Sequence, residues 1–395
     1  MSKRLTSVAL VISLMMSCIF MSGCAAEENV FPHLNFEDES LSSSRQISSE
    51  EEVIESDLHE ITVALPLSED TVNLLMKLYY AKSNNLFPDG MTGADISIEY
   101  LDAISTPWVV NTITTAGTGE TYTSFESLHE DDIYPDLFLT TDMEDMISHN
   151  EALSFDPYLS NDYNLSSSSI YLGAVEALRH GQDHYGLPFY SSVYMLTGSS
   201  EYLPEDGVPS YNLSGEELIE YIRTIPGINA DGSAYITRFY DAGSLAPFLG
   251  EEYANSLINE GLSSTTDNFG ADPRVSRSCG MWLMNSGEFD TWEYYYPDGL
   301  YFTMLPTDNV NAVVYPLCLS ASSSDPEFAA GFASFICFDK DAQMLLRRLE
   351  PLRGYFPSIS SRGVWDVIST DEKFGTSAML YEQYMEQAVY TAAEA

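Results

Sequence analysis

From residue 61 onward the chain alternates short apolar runs with stretches of helical period. Ile61 to Leu65 (ITVAL) is a β-branched run stopped by Pro66, which predicts a buried strand. Ser68 then stands as an N-cap before Glu69 and Asp70, and Val72, Leu75, Met76, Tyr79 and Tyr80 recur on one helix face. After the breaker stretch from Asn84 to Gly93, Ile96 to Leu101 (ISIEYL) predicts a second strand, and a helix is expected from Pro107 through Ala116. Tyr134 to Leu139 predicts a further short strand, ending in the polar Thr140, Thr141 and Asp142. Strand, helix and strand in close succession make a βαβ unit, so a parallel sheet is expected. Ligands of such sheets collect at strand C-termini, which would bring Pro66 to Ser68 and Thr140 to Asp142 to one crevice.

Farther along, His180 to Asp183 (HGQD) has the composition of a turn, and Tyr185 to Met195 reads as an extended segment leaving it. Asp325 and Pro326 open a helix by the cap-then-proline rule, with Phe328, Phe332, Phe335 and Ile336 on one face. Asp339 caps a second helix that carries Ala342, Leu345, Leu346 and Leu349. The chain contains no internal repeat.

The N-terminus has a different character. Lys3 and Arg4 precede an apolar run from Leu5 to Met21, which ends at Met21-Ser22-Gly23-Cys24 before the chain turns polar. The run is short for a membrane-spanning helix, which needs about 20 apolar residues. It resembles a bacterial lipoprotein signal, with residues 1–23 removed and Cys24 acylated; an ordinary secretory signal cleaved nearby is the alternative. The acyl chains would then be the sole hold on the membrane. Residues 24–57 are rich in Ser and Glu and sustain no apolar period, so they are expected to form a solvated tether.

Composition narrows the function classes. Of 395 residues 45% are hydrophobic, enough to bury a large core. The 60 acidic residues against 16 basic ones give a net charge of −44, which repels nucleic acid and anionic lipid headgroups. The five cysteines form no CxxC pair, so neither a disulfide framework nor a structural zinc site is expected. His180 and His184 are four apart, but Gly181 between them makes a turn and not a metal-presenting helix. Gly117 and Gly119 lack the third glycine of a dinucleotide-binding turn. There is no G-x-S-x-G elbow, and Cys279, Cys318 and Cys337 sit in apolar surroundings. No catalytic constellation stands out, and no cofactor or metal is expected.

The order of blocks carries more information than any one of them. YPDLFLTTD (134–142) is followed by NEALSFDPYLS (150–160), GQDHYGLPFYSSVYML (181–196), RSCGMWLMNSGEF (277–289), SDPEFAAGFASFICFDKDAQ (324–343) and RGYFP (353–357). In this order the chain resembles the extracellular solute-binding proteins of ATP-binding-cassette importers, in the carbohydrate-type family that includes maltose-binding protein. The blocks match that family's "PD-hydrophobic" strand, "G-x-L-x-x-L" segment, "G-x-x-Y-G-L-P" hinge strand, "G-K-A-A-M…G-x-W" helix region, helix pair and "G-x-x-P" ending. Ala152 stands where glycine is usual, Arg277 and Ser278 where Gly-Lys is common, and Phe289 where tryptophan is usual.

The resemblance implies a two-lobed α/β fold of the periplasmic-binding-protein type II class, each lobe a central sheet flanked by helices, joined by hinge strands. Lobe one would comprise 58–187 and 276–324, lobe two 188–275, with the C-terminal helices of 325–395 mostly on lobe two. It implies a monomer that captures a small solute, most simply a saccharide, by hinge closure and delivers it to a permease. A sensor or scaffold of the same fold, or a binder of peptides or polyamines, is the alternative; a secreted hydrolase is third. The resemblance places ligand contacts at Ser68, Thr141 and Asp142 in lobe one and at Tyr190 in the hinge. It adds Trp282 and Phe289 as stacking aromatics, and Phe239, Tyr240 and Tyr355 on the opposing lobe. Sugar recognition needs such flat apolar faces beside planar polar groups, and 26 tyrosines supply the material.

Overall fold

The computed structural model describes residues 59–87, 96–114, 128, 132–159, 169–203, 207, 213–225, 237–240, 242–264, 279–296, 299–303, 310–350, 352–372, 375 and 378–393. The signal, Cys24, the tether and Gly117 to Gly119 lie outside them.

The first half begins with β1 (His59–Leu65), α1 (Glu69–Ser83), α2 (Ile98–Asp102), β2 (Trp108–Thr114), β3 (Leu137–Leu139), α3 (Met143–Ser148), β4 (Ala152–Leu153), α4 (Asp156–Leu159) and α5 (Leu172–Glu176). A small hairpin of β5 (Arg179–His180) and β6 (Asp183–His184) turns at Gly181, whose φ of +67° suits glycine. The 14-residue β7 (Gly186–Ser199) follows, then α6 (Gly215–Thr224), β8 (Thr237–Tyr240), α7 (Ala246–Leu249), α8 (Glu251–Asn259) and β9 (Ser263–Ser264). The last part holds β10 (Cys279–Asn285), α9 (Phe289–Tyr295), β11 (Leu300–Thr303), β12 (Val310–Ser320), α10 (Pro326–Phe338), α11 (Lys340–Leu349), α12 (Arg362–Ile368), α13 (Ala378–Gln387) and β13 (Ala388–Ala392).

The strands run in the order β2-β1-β3-β12-β7-β10-β8-β9, with β1 parallel to both β2 and β3. The parallel βαβ unit is therefore present, but its second strand is not where the pattern put it. Residues 98–102 are helical because Ser97 caps them, its hydroxyl accepting from the Tyr100 amide. Their alternation marked no buried face: Leu101 is buried, while Ile98 is 44% exposed. The helix expected from Pro107 is instead strand β2, where Trp108 and Val110 face inward and Val109 outward. The β-branched content of WVVNTIT favours a strand over a helix. Within the block matched to a helix region, Cys279–Asn285 form strand β10, followed by a turn into α9.

Three cores organise these elements. The first packs β1, α1, the start of β7 and Leu317 and Leu319 of β12 against the aromatic face of α10 and the apolar face of α11. Within it the Phe328 ring lies flat on Trp108, centroids 3.3 Å apart. The second, smaller core gathers Leu196, Leu218, Ile222, Phe239, Leu257, Met281 and Tyr301. The third lies between, with Val193 and Met195 of β7 meeting Trp282, Phe356, Trp365 and Tyr381. Strand β7 contributes to all three. Its first half pairs with β12 and its last residues with β10 and β11, so one continuous strand passes from one sheet region to the other.

Asp136 fastens the first region. Its carboxylate accepts from the Thr62 amide at 2.7 Å, the Ser323 hydroxyl at 2.6 Å and the Ser324 amide at 3.2 Å, joining β1 to the turn after β12. At 8% exposure these donors have no easy replacement. Asp136→Ala is expected to cost about 2 kcal/mol, since the amides it strands stay partly buried. Urea denaturation checks this, and a loss under about 0.5 kcal/mol, the scale of an ordinary surface substitution, contradicts it.

Candidate functional site

β1 and β3 are in parallel register, so Leu65 and Leu139 end at the same edge, as expected of the crevice. From β1 the chain passes to Ser68, whose hydroxyl caps α1 by accepting from the Thr71 amide at 3.3 Å. The Ser68 amide and the Thr71 hydroxyl both donate to Glu350, at the end of α11, at 3.3 and 3.0 Å. The start of α1 is thereby joined to the turn that follows α11. From β3 the chain passes through Thr140, whose amide donates to the Pro316 carbonyl of β12 at 3.1 Å. Thr141 and the N-cap Asp142 come next, both half-buried; Asp142 makes no side-chain capping bond to α3.

Pro316 lies where the β12–β7 register slips by a bulge between Tyr315 and Pro316. Proline offers no amide to the ladder, which suits it to such a break, and bulges re-aim neighbouring side chains. Just before the break Tyr315 pairs with Tyr190 across the two strands, ring centroids 4.9 Å apart. On the other edge of β7, Ser191 exchanges backbone hydrogen bonds with Phe356 at 2.9 and 2.7 Å, which seats Tyr355 beside Tyr190 at 4.5 Å. Tyr315 and Tyr355 are 5.6 Å apart, so three rings from three neighbouring segments touch one another.

The Tyr355 ring also covers Gly287, where a Cβ would fall 2.7 Å from the ring. Ser286 beside it donates its hydroxyl to the Gly354 carbonyl at 2.5 Å and accepts from the Val193 amide at 2.9 Å. The turn between β10 and α9, the middle of β7 and the 352–356 turn are thus fastened at one buried hydroxyl.

Burial pushes the Tyr190 hydroxyl well above the ordinary range, with the neighbouring Tyr355 and Tyr315 adding to it. Burial also raises Tyr315, and it carries Tyr355 up to about 12, helped by Tyr315 and the carboxylates of Glu288 and Asp290. All three phenols therefore stay neutral at physiological pH. Tyr190 is buried at the base of the cluster, while the half-buried Tyr315 and Tyr355 offer ring faces and hydroxyls that can stack on an apolar ring edge and hydrogen-bond its substituents. The thiols of Cys318 and Cys337 are likewise pushed up by burial, which makes them inert hydrophobes and not nucleophiles.

Of the residues proposed from sequence, the structure brings Tyr190 and Tyr355 into contact, and holds Ser68, Thr141 and Asp142 on the segments around them. Phe289 is buried at the start of α9, two residues beyond Gly287. The remaining three lie elsewhere. Trp282 is fully buried, stacked on Tyr296 at 4.9 Å and 5.7 Å from Trp292. Its strand partner is Thr197, seven residues from Tyr190, or about 23 Å at the strand rise of ~3.3 Å per residue. Phe239 is fully buried in the second core, and Tyr240 packs half-buried against the third. Sequence reasoning missed Tyr315 and Glu350; the Tyr-Pro dipeptide within β12 was the available signal for the first.

No family model matches the chain, and no curated protein matches it. Solved structures do. A sugar transporter from Rhizobium etli, in an open conformation, superposes with a TM-score of 0.60 at 12% identity over 85% of this chain and 89% of that one. A substrate-binding protein from Listeria monocytogenes in complex with cycloalternan gives 0.58 at 13% identity over 85% and 88%. An extracellular solute-binding protein of family 1 from Alicyclobacillus acidocaldarius gives 0.56 at 12% over 85% and 88%. The chain has the two-domain α/β fold of the extracellular solute-binding proteins of ATP-binding-cassette importers.

Proposed function

We propose that this protein is a lipid-anchored, extracytoplasmic solute-binding protein that captures a small carbohydrate and hands it to an importer's permease. The observation that carries the reading is the cluster of Tyr190, Tyr315 and Tyr355, set where two long strands run between the cores. One lobe would be the body around the first core, including α10 and α11, and the other the body around the second. A solute bridging both favours the closed arrangement over the open one. Cys24 would carry the acyl anchor, and residues 25–57 would hold the folded part away from the bilayer. The protein performs no chemistry in this reading.

A thermal-shift series on the chain started after Cys24 tests it. A bound saccharide at about 100 times its dissociation constant should add ~2.7 kcal/mol of stability. Tyr355→Ala should weaken that saccharide at least tenfold, because the half-buried ring is lost from the cluster. Equal affinity in the variant removes the tyrosine cluster from the site; stabilisation by peptides or polyamines and no saccharide overturns the carbohydrate reading.

A further inference from the structure

The chain has only 16 basic residues, yet three arginines converge behind the tyrosine cluster. Arg347 and Arg348 in the last turn of α11 and Arg353 in the following turn line a cavity of 240 Å³, together with Tyr355, Thr370 and Asp371. Asp371 is the only carboxylate of that lining, and it is committed to Arg353 at 2.8 Å. Arg348 is exposed.

Arg347 differs from both. It is 5% exposed and makes no ion pair among the described residues. Its Nη1 donates to the Tyr355 carbonyl at 2.5 Å and to the Leu352 carbonyl at 3.3 Å. Its Nε and Nη2 are buried and meet no acceptor. Those two nitrogens form the side-on fork of a guanidinium, the edge that matches the two oxygens of a carboxylate. Burial draws the group down to about 9, opposed by nearby Tyr190, so it remains charged at neutral pH. A buried charge without a counter-ion is among the least favourable features a fold can hold, and such groups concentrate where function requires them.

We infer that Arg347 is the acid-recognising residue of the cleft, receiving the carboxylate of a uronic-acid saccharide whose ring rests on Tyr355. This rests on the carbohydrate reading above. A cavity of 240 Å³ lies below the ~300–1,000 Å³ of pockets for drug-sized molecules, which fits a single acidic sugar unit and not a long oligosaccharide. A monoanion also suits a chain of net charge −44 better than a phosphate ester, because repulsion grows with ligand charge. Arg348 at the lining offsets part of that repulsion locally, whereas Arg353 is already held by Asp371, Asp290 and Glu293.

Calorimetric titration of the mature soluble chain with glucuronate and galacturonate, against glucose and galactose, tests this directly. The wild-type chain should prefer the uronate at least tenfold. Arg347→Lys, which keeps the charge and loses the fork, should reduce that preference at least fivefold. Neutral sugars binding as tightly as uronates overturn the acid-recognition role and leave the carbohydrate reading standing. Acetate or inorganic phosphate binding alone, without either sugar, overturns the saccharide part and leaves a free-anion site. Binding by none of them removes both.

Discussion

Alanine at position 354 should destabilise the protein by about 4 kcal/mol. Gly354 has φ of +79°, a conformation in which an L side chain is strained by ~1–2 kcal/mol. The larger contribution is steric: a Cβ there would collide with the Ser286 carbonyl, and a backbone atom cannot swing aside as a side-chain tip can. Making room costs a further ~1–3 kcal/mol and separates Gly354 from the Ser286 hydroxyl. Gly181→Ala is the internal control, because Gly181 has a similar φ of +67° with nothing within 4 Å of its Cβ position. It should lose only about 1 kcal/mol. Denaturant midpoints for the two variants decide the matter. Equal losses would mean that strain alone counts and that the close approach at Ser286 is unimportant.

Trp282→Ala should cost about 3–5 kcal/mol, the range for removing a fully buried large aromatic, and should leave solute affinity unchanged. Its ring stacks on Tyr296 and lies against Trp292, so truncation opens a void that two other large rings cannot fill. The indole Nε1 has no acceptor, so Trp282→Phe removes an unsatisfied donor along with some volume and should cost distinctly less. Stability by denaturant and affinity by titration, measured on the same sample, separate the two roles. Lost binding in a still-folded Trp282→Ala chain would return this residue to the solute site.

Those expectations mark what the sequence could reveal. Caps and breakers placed β1, α1, α10 and α11 well, because Ser68, Pro66, Asp325 and Asp339 act within a few residues of themselves. Residues 96–114 were misread because ISIEYL satisfies a period of two without burying a face, and because Pro107 can begin a helix or precede a strand. The tyrosine cluster was legible only in part. Tyr190 and Tyr355 were proposed from their blocks and meet in the structure, but Trp282 and Phe239 have the same aromatic character and are fully buried in cores. An alternating strand does not state which of its faces meets a core and which a cleft. Arg347 was hidden for a related reason: its missing partner is a property of the packed surroundings, and the letters RR at a helix end look like an ordinary C-terminal pair.

The shared strand β7 has a consequence for how the chain is made. Its first half gains its β12 neighbour only when residues 310–320 exist, about 120 positions after β7 itself, so that edge of β7 stays unpaired while the whole intervening stretch is made. Neither half can complete its sheet and stop. Folding should therefore be a late, single event that waits for the C-terminal third, with the long sequence separation making it slow. For the exported protein proposed above, that delay is useful: a polypeptide unable to lock early stays threadable until translocation is done.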